Sequence, residues 1–314
     1  MSEMEPKSLS EQFIPFEVRL GVESDVSRIL GGGIVTGGCA YELNMLDALS
    51  GSAVSAGRVI NPTPEWLTHR KRLRYVGDVD FYSTLTDEGV VSRLGPTYEQ
   101  RSSKYTKDAA GKDRPRQRKI RVGTVQLKQP IDGNTELPAE LAVDVIDPGF
   151  YTKGYFNRGI FPDPAVALAG LESHASTANI GGQHVRFQGV NDFIAFKLTN
   201  MQRIKDENGA PKTWIKDVSD VANLIAYRSN HIDWNYIATL MGSAQVTRER
   251  LKLVRDCLAD PSTSMEEGNI KQLMAEQVIE PFNEVSRYTL VDFTGNREKY
   301  IRKVDEAALE IRRF

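Results

Sequence analysis

The hydrophobic pattern of this 314-residue chain changes its period at about residue 165. Before that point, short apolar or alternating runs with a period of two predict strands, and short helical runs lie between them. After it, apolar residues recur with the 3.6-residue period of helices. A chain of this length is long enough for two domains. We therefore expect an α/β domain over residues 1–165 and a helical domain over residues 166–314.

Apolar periodicity, with Gly and Pro as boundaries, predicts the individual elements. In the first half the predicted helices are 13–30 and 39–46, the predicted strands are 34–36, 73–84, 120–125 and 141–146, and a loop is expected over 51–64. In the second half the predicted helices are 191–204, 215–227, 233–241, 247–258, 270–285 and 296–311. Asn191 is the expected N-cap of the first of these.

Overall composition excludes several classes of protein. Forty Lys and Arg oppose 42 Asp and Glu, so the net charge is −2 and the chain is not globally basic. With 40% hydrophobic residues it is not a disordered chain. No apolar run reaches the ~20 residues of a membrane helix, and the first residues carry no signal-peptide pattern. Cys39 and Cys257 are too few for a disulfide framework, so we expect a cytoplasmic protein.

One segment has a charge far from this average. Residues 101–128 carry ten Lys and Arg against two Asp, or +8, which leaves −10 for the rest of the chain. Residues 109–113 suit the turn of a long hairpin, which would display this charge. Such a segment predicts an electrostatic contact with a polyanion such as RNA. The candidate RNA-binding residues are Arg114, Arg116, Arg118 and Lys119; the alternative is a solvated arm.

Asp78 and Asp80 stand two residues apart in a predicted strand. The period of two places both carboxylates on one face, a few ångströms apart. Two like charges at that distance repel each other unless a cation neutralises them, so the pair predicts a Mg²⁺ or Mn²⁺ site. A solvent-facing strand that repeats Asp is the alternative.

A third carboxylate, Asp144, stands in the middle of the apolar run 141–146. Burying a charge there is costly unless it has a partner, so Asp144 faces solvent, pairs with a basic residue, or joins a site. If its strand lies beside that of Asp78 and Asp80, three carboxylates converge as in two-metal phosphoryl transfer.

A glycine turn separates the strand 34–36 from the helix that follows. Gly37 and Gly38 let backbone N–H groups, including that of Cys39, approach a phosphate at the helix N-terminus. Tight turns of every kind favour glycine, and neither a P-loop nor a G-x-G-x-x-G motif is present. By itself the turn is compatible with a nucleotide-phosphate site and with an ordinary strand-to-helix turn.

Taken in order, these motifs resemble those of the nucleotidyltransferase fold and are most similar to the AbiEii-type nucleotidyltransferase toxin family. Four short motifs within about 34–230 carry the resemblance. They are Gly37-Gly38-x-Ala40-x-x-Leu43, Arg74 before Asp78 and Asp80, Phe196-Lys197-Leu198, and Lys216-Asp217-Val218-Ser219-Asp220-Val221. Two features depart from the family: Val76 stands where a Ser or Thr is usual, and the first two motifs are farther apart.

The resemblance implies an α/β (α+β) nucleotidyltransferase domain with a mixed sheet, followed by a helical bundle that completes the cleft. It implies transfer of a nucleoside monophosphate from an NTP to a hydroxyl, and a toxin that acts on tRNA under a cognate antitoxin. The expected metal ligands are Asp78, Asp80 and Asp144, the nucleotide-binding residues are Gly37, Gly38, Cys39, Arg74 and Lys197, and the catalytic residues are the three metal ligands with Lys197 and Asp217.

The chemistry of the helical half leaves each role open. Lys197 would be a point charge for a triphosphate, or a solvated helix lysine. Asp217 and Asp220 stand three residues apart on one helix face, where one can approach the cleft. Alternatively both stabilise the first turn of that helix through its dipole, which is the interpretation we prefer for Asp220. The four histidines show no metal-ligand spacing and are interpreted as structural or surface residues; they are His69, His174, His184 and His231.

Two other functions stay open at this point. A metal-dependent glycosyltransferase would account for Asp78 and Asp80, but leaves the glycine turn, Lys197 and Asp217 without roles. A non-catalytic nucleotide- or RNA-binding module would need the carboxylates to be surface charges.

Overall fold

The structure is a computed structural model, and it describes most of the predicted elements. The described residues are 16–49, 59–60, 78–85, 87–95, 120–126, 140–146, 161–180, 183–201, 204–205, 211–212, 215–259 and 297–311. No helix in these ranges combines the length and apolar character that a membrane crossing requires.

Helices and strands alternate through the first two thirds of the chain, and helices follow. The described helices are α1 (Phe16–Leu30), α2 (Gly37–Leu49), α3 (Asp87–Leu94), α4 (Pro164–Ser173), α5 (Val190–Asn200), α6 (Ile215–Arg228), α7 (Trp234–Leu240), α8 (Ala244–Ala259) and α9 (Arg297–Glu310). The described strands are β1 (Ile34–Thr36), β2 (Val59–Ile60), β3 (Asp78–Tyr82), β4 (Ile120–Gln126), β5 (Glu140–Ile146), β6 (Ser176–Ile180), β7 (Gln183–Phe187), β8 (Ile204–Lys205) and β9 (Pro211–Lys212).

Seven of these strands form one sheet in the order β2-β6-β7-β1-β3-β5-β4, and β8 pairs with β9 separately. Strand β1 is antiparallel to β3 and parallel to β7, while β3 is parallel to β5. The sheet is therefore mixed, as expected. Helix α2 packs against β1 and β3 of the sheet and against helices α5 and α6. This helix thus connects the sheet with the helical half.

The apolar positions of the central strands explain why they lie inside. Val35 pairs with Phe81, and Phe81 with Val145, so these side chains share one face of the sheet. All three are buried. Glycines end the preceding helix as predicted: Gly31 and Gly32 have positive φ angles, and their N–H groups bond the last carbonyls of α1.

Several predicted helix boundaries are wrong; helix α5 ends at Asn200 rather than at residue 204, and helix α8 begins at Ala244 rather than at residue 247. Helix α2 begins at Gly37 rather than at residue 39. Helix α5 begins at Val190 with Gly189 at the N-cap, so Asn191 is not the cap. The Asn191 side chain instead accepts a hydrogen bond from the N–H of Asp233 at 2.9 Å, where it holds the start of α7.

The sheet extends beyond the position where we expected helices only. Strands β6 and β7 follow residue 165, and β7 pairs directly with β1. Strand β2 lies inside the predicted loop 51–64, and helices α3 and α4 were not predicted. The division at 165/166 stays a prediction, but the sheet contains strands from both sides of it. The predicted helix 270–285 and the hairpin residues 101–119 lie outside the described residues.

Candidate active site

The glycine turn begins helix α2 at the end of a central strand. Gly37 follows Thr36 directly and has a φ of 62°, a left-handed conformation that side chains rarely adopt. A Cβ at this position would overlap Oδ2 of Asp80 and lie 3.2 Å from its Cγ. Two independent constraints therefore require glycine here, and the Asp80 carboxylate lies directly against the N-terminus of α2.

The strand register places the predicted carboxylates in one row. Asp80 is the Cα partner of Thr36 on one side and of Asp144 on the other. Side chains at paired positions of neighbouring strands point to the same face of a sheet. Asp80 is half-buried, and Asp144 is 2% exposed. The register therefore places Asp80 and Asp144 side by side, which is the strand arrangement on which the expected convergence of carboxylates depends.

Of the other residues predicted for this site, some lie within the described residues and some lie outside them. Asp78 is the first residue of β3 and pairs with Ala142; its side chain lies outside the described residues. Gly38 is half-buried in the first turn of α2. The Cys39 side chain is buried, so a contact with a nucleotide would use its backbone N–H. Arg74 lies outside the described residues, as do the candidate RNA-binding residues, which are Arg114, Arg116, Arg118 and Lys119.

Lys197 lies in a buried cluster with two carboxylates of α6. Its Nζ is 2.5 Å from Oδ1 of Asp217 and 3.1 Å from Oδ2 of Asp220. The side chains are 8%, 9% and 0% exposed, in that order. Lys197 is thus not a solvated lysine, and Asp220 does more than stabilise the first turn of its own helix.

Aromatic side chains connect this cluster to α2. Lys197 Nζ lies 5.4 Å from the centre of the Phe193 ring, which in turn lies 6.2 Å from the ring of Tyr41 on α2. The Tyr41 hydroxyl accepts a hydrogen bond from the side-chain amide of Asn223 on α6 at 3.0 Å. Tyr41 stands one turn after Gly37. The charged cluster and the glycine turn are therefore connected through the packing of a single helix.

A second polar cluster lies outside the predicted site. The Tyr236 hydroxyl donates to Oδ1 of Asp192 at 2.8 Å, and Nδ1 of His174 lies 3.5 Å from Oδ2. Burial raises the pKa of the Asp192 carboxyl, although both neighbours oppose that shift. Burial, followed by the neighbouring carboxylate, raises the pKa of Tyr236. Gly170 of α4 lies against this cluster, where a Cβ would overlap the Tyr236 hydroxyl. Because α4 was not predicted, the sequence carried no signal for this contact.

The described part of the chain brings no three His, Cys, Asp or Glu side chains close enough together to hold a metal ion. The chemistry of the donors still fits one. Mg²⁺ is usually bound through one or two carboxylates, with waters and substrate phosphates as the other ligands. Asp80 and Asp144 supply two carboxylates at paired positions of adjacent strands.

Comparison with known proteins gives few similarities. No protein-family model matches the chain, and no curated protein matches it. A candidate nucleotidyltransferase from H. pylori aligns at 14% identity over 86% of this chain and 91% of its own, with a TM-score of 0.31. JHP933 from Helicobacter pylori aligns at 14% identity over 88% of this chain and 93% of its own, with a TM-score of 0.33. TM-scores this low do not establish a shared function, so function has to be argued from the site residues themselves.

Proposed function

We propose that this protein is a metal-dependent nucleotidyltransferase that moves a nucleoside monophosphate from an NTP to an acceptor hydroxyl. The observation that carries the proposal is the contact between Asp80 and Gly37, in a strand row that continues to Asp144. Carboxylates that face the N-terminus of a helix provide both halves of a nucleotide-phosphate site: ligands for a cation and N–H donors for phosphate.

Asp80 and Asp144 would hold Mg²⁺ or Mn²⁺, with Asp78 as the third ligand expected from the sequence. When bound, the cation neutralises charge on the phosphoryl group that is transferred. The N–H groups of the first turn of α2 bind the β- and γ-phosphates, and no acidic side chain of that turn opposes them. The acceptor oxygen bonds to the α-phosphorus while the bond to the bridging β-phosphate oxygen breaks, and pyrophosphate leaves. Asp144 favours loss of the proton from the acceptor hydroxyl.

Lys197 and Asp217 belong to the proposed site through α2. In the structure the Lys197 ammonium is held by Asp217 and Asp220. We therefore propose that Lys197 acts on the triphosphate from within this cluster, and that Asp217 sets the position of its ammonium group.

The resemblance to AbiEii-type proteins extends the proposal to a biological role. The acceptor would be an RNA, with tRNA as the first candidate, and the protein would be a toxin under a cognate antitoxin. The +8 charge of residues 101–128 supports a polyanionic acceptor.

A labelling experiment tests the reaction. The protein is incubated with each α-labelled NTP, Mg²⁺ and total tRNA, and we expect label in the RNA. Asp80→Asn should lower the rate by orders of magnitude, because metal positioning supplies most of the catalysis. Asp78→Asn and Asp144→Asn should lower the transfer rate in the same way, and a variant that combines these substitutions should be only slightly slower than each single variant. The ligand-free Asp80→Asn protein should melt at a higher temperature, since like charges no longer repel each other.

The matched control is Asp256→Asn, which removes a surface carboxylate paired with Lys252 on α8. It should transfer label like the wild type. A folded Asp80→Asn variant with wild-type transfer would end the assignment. Hydrolysis of sugar nucleotides without consumption of NTP would favour the glycosyltransferase. Tight nucleotide binding without Mg²⁺-dependent turnover would favour the binding module.

A further inference from the structure

Thr36 is a buried polar residue at one end of the row that holds Asp80 and Asp144. It is the last residue of β1 and is 3% exposed. Among the described residues, its Oγ1 has no hydrogen-bond partner. A buried hydroxyl without a partner costs free energy, and valine would fill nearly the same volume without that cost. The hydroxyl is therefore a candidate for a function in another state of the protein.

The strand register shows that Asp80 carries the group that the Thr36 hydroxyl could bind. Thr36 is the Cα partner of Asp80, so the two side chains share one face of the sheet. The Asp80 carboxylate lies against Gly37, the residue that follows Thr36 in the chain. A hydroxyl is a hydrogen-bond donor, and a carboxylate accepts such bonds strongly.

The proposed nucleotide site gives this pair a reason to rearrange. A phosphate that binds the N–H groups of the first turn of α2 would lie near the Asp80 carboxylate, since a Cβ on Gly37 would overlap Oδ2 of Asp80. Two negative groups this close repel each other unless a cation lies between them, so the binding of a nucleotide with its cation would reorient the carboxylate within the site. The Thr36 hydroxyl can then donate to this carboxylate, because Thr36 is the Cα partner of Asp80 on the neighbouring strand.

We infer that Thr36 is a positioning residue for the carboxylate site. Its hydroxyl donates a hydrogen bond to Asp80 in the nucleotide-bound protein, and holds the carboxylate clear of the phosphates. The inference rests on the proposed function. It predicts opposite effects of one substitution: removal of the hydroxyl leaves the ligand-free protein equally or more stable, and weakens the binding of nucleotide.

The experiment compares Thr36→Val with Thr36→Ser. Melting temperatures are measured without ligand and in a titration of Mg²⁺ with non-hydrolysable ribonucleoside triphosphates, one base at a time. Thr36→Val should melt at or above the wild-type temperature without ligand and bind the triphosphate about tenfold more weakly, the loss expected for one hydrogen bond to a charged group. Thr36→Ser keeps the hydroxyl and should bind like the wild type.

The matched control is Thr199→Val on α5. Among the described residues, the Thr199 hydroxyl is also buried without a hydrogen-bond partner, but it lies outside the carboxylate row. Its removal should leave nucleotide binding unchanged. Wild-type affinity in Thr36→Val would overturn the inference and leave the proposed function intact. A lower ligand-free melting temperature with wild-type affinity would assign the hydroxyl to the fold and overturn it equally. A wild-type protein that binds no triphosphate would refute the proposed function, and the inference with it.

Discussion

Gly37 combines a left-handed backbone with a neighbour that leaves no room for a Cβ. The left-handed backbone is unfavourable for any L-residue with a Cβ, whereas the lack of room arises from the position of the Asp80 carboxylate. Gly242 has the same kind of backbone without a carboxylate neighbour. Its φ is 83°, and the atom nearest to an added Cβ would belong to Pro162, 2.8 Å away. A comparison of the two glycines therefore isolates what the carboxylate contributes.

We predict that Gly37→Ala and Gly242→Ala lose similar stability but differ in activity. Each should lower the free energy of unfolding by about 1–2 kcal/mol, the cost of a left-handed conformation for a residue with a Cβ. Gly37→Ala should also lower nucleotide transfer by about a hundredfold, because the added methyl group displaces the Asp80 carboxylate. Urea denaturation and the labelling assay measure the two effects. Equal transfer by both variants would contradict a role for the carboxylate position.

At the scale of elements, helices α5 and α6 are held together by a buried charge cluster as well as by apolar packing. Lys197 comes from α5, while Asp217 and Asp220 come from the first two turns of α6. Charges in a low-dielectric interior need partners, because desolvation is costly for each of them. The pairing of these two helices is therefore sensitive to the loss of any one member.

We predict that Lys197→Met lowers the free energy of unfolding by about 3–5 kcal/mol, because it removes the ammonium group that two buried carboxylates contact. The control is Lys252→Met, which removes an exposed lysine that pairs with Asp256 at 2.5 Å on the surface of α8. A surface pair of this kind contributes less than about 1 kcal/mol. Urea denaturation compares the two variants. Similar destabilisation of both variants would show that the Lys197 cluster contributes no more to stability than a surface ion pair.

At the scale of the whole molecule, charge is distributed unevenly along the chain. Residues 101–128 carry +8, and the remainder carries −10. Strand β4 provides the described part of this segment, and pairs with β5 at the edge of the sheet. Arg121 of β4 is the Cα partner of Asp144. The basic segment therefore joins the sheet at the row that holds the carboxylates.

We predict that four substitutions in this segment weaken RNA binding and flatten its salt dependence. The variant replaces with Ser the residues Arg114, Arg116, Arg118 and Lys119. The slope of log K against log salt should fall by about 0.7–0.9 for each RNA phosphate that the protein no longer neutralises. The control makes the same number of changes on α8 and α9, at Lys252, Arg255, Arg302 and Lys303. An unchanged affinity and slope in the first variant would refute the RNA interaction.

The sequence by itself determined the features that depend on neighbours in the chain. Strand β1, helix α6 and the stop after α1 follow from apolar period and glycine, which act within a few residues. That Asp144 needs solvent, a partner or a site also follows from its local pattern, since a lone carboxylate in an apolar strand is costly to bury; whether its strand lies beside that of Asp80 does not follow from the sequence. These features could be predicted because their causes are local.

Tertiary structure decided what depends on pairing between distant segments. No local pattern in 176–187 shows that β7 lies beside β1, because strand order depends on which edges remain available for hydrogen bonds. Register places Thr36 beside Asp80, and helix packing turns Lys197 toward Asp217 and Asp220. Whether a charged side chain is solvated or buried depends on contacts made across the whole molecule, and the same sequence pattern is compatible with either state.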